Sequence, residues 1–192
     1  MADTWLVVGL GNPGPDYART RHNIGQLVAT ELERRAGATP KRHGRAEALV
    51  AESRVIGGPK VITAFPLSYM NRSGGPVSKL MDYYGVDLEH VIVLHDELDI
   101  ALGEVRLKQG GGHGGHNGLR DIIAARGPEF LRVRLGIGRP PGRQDAADFV
   151  LKPFAKAELP EAELLVQLGA DAVEGIIAEG FLATQQRLHA PS

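Results

Sequence analysis

A chain of 192 residues, 43% hydrophobic and 23% charged, has the length of one domain and enough apolar side chains to bury a core, which excludes an intrinsically disordered segment. With no cysteine it cannot use disulfides, a thiolate nucleophile, cysteine-ligated zinc or iron–sulfur clusters. The net charge of −1 gives no overall attraction to polyanions, no apolar run nears the roughly 18 residues of a membrane span, and Met1 to Thr4 lacks a basic leader, so a cytoplasmic protein with no membrane partner is expected.

Trp5 to Val8 is a short aromatic and β-branched run stopped by Gly9, the pattern of a buried strand entering a glycine–proline loop that ends at Pro15. Ile24, Leu27, Val28 and Leu32 recur at helical spacing and predict a helix from about Asn23 to a stop at Gly37, with Asn23 and Gln26 spaced as a capping box. Ala46 to Ser53 and Lys60 to Phe65 read as strands joined by the turn Gly57-Gly58-Pro59. A second helix over Gly75 to Tyr84 ends at Gly85, and the continuous apolar run Val91 to Leu94 suits a central strand covered on both faces. Glu104 to Gln109 and Phe130 to Ile137 read as strands around a helix from Leu119 to Arg126. In the tail, Leu165, Leu168, Ala172 and Ile176 form a one-sided stripe between Pro160 and Gly180 that should pack on the sheet. Strands alternating with helices predict an α/β fold: a single domain over residues 1–192, its mixed twisted β-sheet flanked by helices on both faces.

The 25 glycines exceed the usual share and concentrate in Gly9 to Gly14, Gly74-Gly75 and Gly110 to Gly118, at the element ends where open α/β sheets bind ligands. Gly9-Leu10-Gly11-Asn12-Pro13-Gly14 has the outline of a dinucleotide fingerprint, but Pro13 and Pro15 remove amide donors a pyrophosphate would need, and the following helix starts too late to meet a phosphate. A rigid turn projecting Asn12 fits better. His22 lies at a helix N-terminus, where the dipole disfavours imidazolium and keeps a neutral base; the plainer reading is a surface histidine beside a cap. Asp96, in His95-Asp96-Glu97-Leu98-Asp99 at the end of the apolar strand, can accept a hydrogen bond from a histidine and fix its tautomer, or belong to a solvated acidic turn. The glycine run presents His116 and Asn117 on a mobile rim, with Asn117 also placed to cap the helix from Leu119.

Between Val105 and Arg143 eight lysines and arginines face two carboxylates, whereas from Gln144 onward three face eight. Arg106 and Lys108 alternate with apolar neighbours, as do Arg132 and Arg134, so two strands should share a cationic face suited to phosphates. Lys41, Arg42 and Arg45 are an outlying basic group, either a solvated loop or a further phosphate contact. There is no G-x-S-x-G elbow, Walker loop or H-E-x-x-H motif, and none of the five serines sits in a nucleophile signature, so hydrolysis here would use activated water, with histidine as base and asparagines as polar stabilisers.

These segments together resemble the bacterial-type peptidyl-tRNA hydrolases: Gly9 to Gly14 with Tyr17 and Thr20-Arg21-His22-Asn23, Met70-Asn71-Arg72-Ser73-Gly74, His95 to Asp99, the glycine run ending His116-Asn117-Gly118-Leu119, and Arg134-Leu135-Gly136-Ile137-Gly138. The resemblance spans nearly the whole chain. It implies a role in translation and ribosome rescue: cleavage of the ester joining a peptide to the 3′ ribose of tRNA, by a monomer without metal or other cofactor, with peptidyl-tRNA as its partner. It further implies that His22 activates water, that Asp96 orients His22, and that Asn12, Asn71 and Asn117 hold peptide, water and oxyanion. Tyr17, Tyr69, Met70 and His116 would bind substrate beside them, and Lys108 and Arg134 would grip the terminal phosphate. Tyr69 stands where the family often has phenylalanine, Ile100-Ala101 replaces a common Leu-Pro, and His113 is an addition to the glycine run. Two other readings stand beside this one: a non-catalytic RNA-binding relative, against which the retained His22, Asp96 and asparagines count, and a metallohydrolase using His95, Asp96, Asp99, His113 and His116, disfavoured because His113 and His116 lie in a glycine loop rather than on a rigid helix or strand.

Overall fold

The alternation of side chains along the central strands separates two hydrophobic cores, one on each face of the sheet. In β1 (Trp5–Gly9), Val7 joins one core and Leu6 and Val8 the other; in β5 (Val91–Glu97), Ile92 and Leu94 oppose Val91 and Val93. The apolar runs are continuous because both faces are covered. Helices α1 (Ile24–Ala36) and α5 (Leu159–Glu179) contribute Ile24, Val28, Leu165 and Ile176 to the first core, and α2 (Gly74–Tyr84) and α3 (Asn117–Arg126) contribute Val77, Leu80, Leu119 and Ile122 to the second. Each such side chain contributes about 1.5–3 kcal/mol on burial.

The computed structural model describes residues 3–189. Its seven strands, completed by β2 (Lys41–Arg42), β3 (Ala48–Arg54), β4 (Lys60–Pro66), β6 (Val105–Gln109) and β7 (Leu131–Gly136), form one mixed sheet in the order β2-β3-β4-β1-β5-β7-β6. The four inner strands β4, β1, β5 and β7 run parallel, and the pairs at both edges are antiparallel. The expected sheet with helices on both faces is therefore present. Because β4 and β5 flank β1 on opposite sides, a crevice opens beyond the carboxyl ends of β1 and β5, the usual ligand position in such sheets.

Three elements carry no strong sequence signal and appear only here: the two-residue edge strand β2, the short α4 (Ala146–Val150) and the final α6 (Phe181–His189). Strand and helix ends otherwise move by a few residues; β3 starts at Ala48 rather than Ala46, β7 is shorter by one residue at each end, and β5 runs on through His95 and Asp96. The tail stripe packs as expected, with Leu165, Ala172 and Ile176 buried against the sheet and α1.

Close approach at one point positions the site. A Cβ on Gly25 would stand 2.2 Å from the Leu94 carbonyl oxygen, so only glycine lets the first turn of α1 rest on the end of β5. That contact carries His22, in the single 3₁₀ turn Arg21–Asn23 before α1, up to Asp96. Arg21 anchors the same turn from behind: its buried guanidinium donates to the Phe149 carbonyl at 3.1 Å, pairs with Glu158 at 2.8 Å and lies 3.8 Å from the Phe149 ring centroid.

Candidate active site

Asp96 is the last of six buried residues in β5, 4% exposed, and accepts hydrogen bonds from two histidines. His22 Nδ1 lies 2.8 Å from one carboxylate oxygen and His116 Nε2 lies 2.9 Å from the other. Burial by itself favours the neutral acid, but the two imidazoles outweigh it and hold the carboxyl well below the usual carboxylate range. An ionised carboxylate can only accept, so His22 Nδ1 carries hydrogen. This leaves Nε2, with no protein partner among the described residues, as the basic nitrogen of a ring that lines a cleft of about 490 Å³.

The His116 tautomer is set independently. Its Nδ1 accepts the backbone N–H groups of Gly118 and Leu119, at 3.1 and 3.3 Å, so Nε2 must donate to Asp96. His116 is thus the residue that caps α3, the role expected of Asn117, which instead begins the helix with its side chain exposed to the cleft. The capping box expected at Asn23 is also absent: the Asn23 side chain accepts the Asn12 amide at 2.9 Å and donates to the Asn12 carbonyl and to Gln26 Oε1. The glycine–proline loop is stitched to α1 by that side chain, and Asn12 is held rigid as the turn reading required. Asn12 Oδ1 accepts the Met70 amide at 2.7 Å, so its amide hydrogens remain for the cleft.

The helix-dipole reading of His22 as an undisturbed neutral base is incomplete. Burial opposes the imidazolium, yet the charge and hydrogen bond of Asp96 outweigh it and raise the His22 pKa above its ordinary value. Next to it, burial with His116 alongside pushes His95 down to about 3, so His95 stays neutral; its Nδ1–H donates to the Asp96 carbonyl at 2.8 Å. His22, Asp96 and His116 are near enough to bind a metal ion, but both imidazoles already present N–H groups to the carboxylate and His116 Nδ1 is engaged by backbone. The other residues of the metal reading do not converge: Asp99 pairs with Arg139 at 2.7 Å, and His113 Nδ1 accepts the Gly115 amide.

Of the residues singled out in the sequence, Asn12, His22, Met70, Asn71, Asp96, His116 and Asn117 line this one cleft. Tyr17 and Tyr69 do not; their rings meet edge to face at 6.3 Å, with Tyr69 exposed. The sequence reading missed the opposite wall, Ala146, Ala147, Val150 and Leu151 on and just after α4. Its one signal was Asp145, whose side chain accepts the Ala147 amide as a cap ahead of a short apolar stripe.

The cationic face exists, but not all four of its cations are free: Arg106 forms an ion pair with Glu104 at 3.6 Å. Across β6 and β7, Arg106 pairs with Arg134 and Lys108 with Arg132, which puts all four on one side. Arg132, however, is buried and donates to the carbonyls of Gly111, at 2.6 Å, Gly112 and Pro128. It clamps the glycine run. Lys108 lies over the same run, since a Cβ at Gly111, whose φ is +94°, would come within 2.7 Å of its Nζ.

Comparison with known proteins agrees with this picture. The family model described as peptidyl-tRNA hydrolase matches residues 6–192. Proteins named peptidyl-tRNA hydrolase from Kineococcus radiotolerans and an Arthrobacter species are each 56% identical to the chain, over 100% and 98% of both sequences respectively. The crystal structure of peptidyl-tRNA hydrolase from Acinetobacter baumannii superposes with a TM-score of 0.91 at 36% identity, covering 99% of this chain and 96% of that one. A methylthioadenosine nucleosidase from Arabidopsis thaliana, at TM-score 0.55 and 10% identity, shares the fold alone.

Proposed function

The chain belongs to the peptidyl-tRNA hydrolase family and is an enzyme of that activity; from this premise we propose that it cleaves the ester between the peptide and the 3′ ribose with water activated by His22, without a metal. The observation that carries the reading is the 2.8 Å contact between His22 Nδ1 and Asp96, which points the basic Nε2 away from the carboxylate.

In this mechanism Nε2 takes a proton from a water molecule as the water oxygen attacks the ester carbonyl carbon. Asp96 stabilises the imidazolium that forms and stays ionised itself. The oxyanion of the tetrahedral intermediate receives hydrogen bonds from the amide groups of Asn12 and Asn117, and Asn71 holds the peptide and water. When the bond from carbon to the ribose 3′ oxygen breaks, the imidazolium returns its proton to that oxygen, releasing tRNA and free peptide. Met70 and the α4 wall supply apolar surface for the peptide; Tyr17 and Tyr69 extend it outside the cleft. Lys108 and Arg134 take the terminal phosphate. The two N–H groups facing Asp96 support a metal-free site, because a bound cation would have to displace both. The chain acts as one domain over residues 1–192, a monomer in the cytoplasm.

The test is hydrolysis by purified protein of peptidyl-tRNA and of free aminoacyl-tRNA, each with and without exhaustive chelation. Release of tRNA from the first substrate alone, unchanged by chelator, is expected. Turnover that disappears on chelation and returns with added metal would overturn the water-activation scheme.

A further inference from the structure

At the sheet edge opposite β6 lies a second cleft of about 480 Å³, between β2, the turn after it and the end of α2. Six strand spacings of about 4.8 Å separate β2 from β6, so the two edges are about 29 Å apart. Three cations of this cleft, Lys41, Arg42 and Arg45, are exposed and make no ion pair among the described residues, whereas the one carboxylate lining it, Glu52, is neutralised by Lys60 at 2.6 Å.

Aromatic rings line the same cleft as these cations. The Tyr83 ring meets His43 at 4.5 Å and Tyr84 at 4.8 Å between centroids, and the Arg45 guanidinium lies 5.9 Å from the Tyr83 centroid. His43 is fixed in place because its Nδ1 accepts the backbone amides of Arg45 and Ala46, at 3.1 and 3.0 Å. Lysine and arginine on a short edge strand are commonly explained as protection against edge-to-edge pairing. That explanation needs no tyrosine, yet Tyr83 leaves 54% of its surface in solvent on the wall of the cleft. Unpaired cations beside an exposed aromatic ring that packs on a fixed neighbour are the combination that binds single-stranded nucleic acid, phosphates against the charges and a base on the ring.

We propose that this cleft is a second RNA-binding site, distinct from the Lys108–Arg134 face, which takes a single-stranded segment with its phosphates against Lys41, Arg42 and Arg45 and one base stacked on Tyr83. The site is independent of the hydrolytic scheme, and its test uses RNA that carries no peptidyl ester. Binding of fluorescein-labelled decauridylate is followed by anisotropy between about 50 and 200 mM salt. The variant K41A/R42A/R45A is expected to bind at least about tenfold more weakly, with a salt slope lower by about two, since each of three contacts contributes about 0.7 for single strands. Tyr83→Leu should weaken binding about fivefold or more and Tyr83→Phe should retain it, because the ring and not the hydroxyl stacks. K108A/R134A should still bind, and all the cleft variants should hydrolyse a short peptidyl ester at the wild-type rate. Unaltered affinity in the triple variant, loss of binding in K108A/R134A instead, or tighter binding of an oligoglutamate than of decauridylate would overturn the proposal.

Discussion

Replacing Asp96 by asparagine tests the active-site argument most directly, because the outcome depends on hydrogen-bond polarity that the structure defines. The carboxylate accepts from both His22 and His116. An amide offers one acceptor oxygen and one donor nitrogen, so one histidine must turn from donor to acceptor. His116 cannot, since its Nδ1 already accepts two backbone N–H groups and its hydrogen must stay on Nε2. The amide oxygen therefore faces His116 and the NH₂ faces His22, which shifts the His22 hydrogen to Nε2 and removes the lone pair that water needs. The charge is lost as well: a carboxylate and imidazolium about 4 Å apart attract by about 4 kcal/mol at an effective dielectric of 20, so the transition state loses up to about 10³-fold from this source alone. Together these place the expected fall in kcat at about 10²–10⁴, with KM for peptidyl-tRNA changed by less than about threefold. The pH profile supplies a separate readout. In the wild type the raised His22 pKa puts the acid limb of kcat above pH 6.5, and in Asp96→Asn that limb should move to lower pH because the raising charge is gone. A loss of less than tenfold, or an acid limb that stays in place, would refute the assignment of Asp96 as the group that orients and charges His22.

His22→Ala should lower kcat by about 10²–10⁴ while leaving affinity for peptidyl-tRNA intact, measured by single-turnover kinetics alongside binding; wild-type turnover in the folded variant would exclude His22 as the base. The double variant K108A/R134A should raise KM for full-length substrate and reduce its salt slope while sparing a short ester that lacks the terminal phosphate; an unchanged KM would place that phosphate elsewhere. Arg132→Met should behave differently from both, leaving the backbone carbonyls of Gly111, Gly112 and Pro128 without their donor and lowering thermal unfolding stability by about 1–3 kcal/mol, with faster hydrogen exchange in residues 110–116. The His22–Asp96 pair also links stability to pH: a pKa raised on folding stabilises the protein fully below about 6.5, the unfolded value, and that contribution fades as pH rises through the folded value. Denaturant midpoints of wild type and His22→Ala should therefore differ most at acidic pH and converge at alkaline pH.

The sequence by itself determined the order of the main elements and most of the cleft. Continuous apolar runs at Trp5 to Val8 and Val91 to Leu94, helical spacing from Ile24, and glycine clusters at element ends are local patterns set by the periods of strand and helix, and they reappear in the fold with only their ends moved. The motifs around Asn12, His22, Asp96 and Asn117 could likewise be read one by one, whereas Asn71 entered only through the family resemblance. Only the tertiary structure decided what each polar group does. Alternation placed Arg132 and Lys108 on one face, but depth depends on what covers the strand, and the glycine run buries the first while leaving the second partly open. Spacing offered Asn23 and Asn117 as caps, yet the backbone of Asn12, 11 residues away in sequence, claimed the Asn23 side chain, and the neighbouring His116 took the cap of α3. The wall formed by α4 and the pairing of one carboxylate with histidines 74 and 20 residues distant lie beyond any local pattern. Hydrogen-bond partners are chosen by proximity in space, and the chain brings these groups together only when Gly25 lets α1 close against β5.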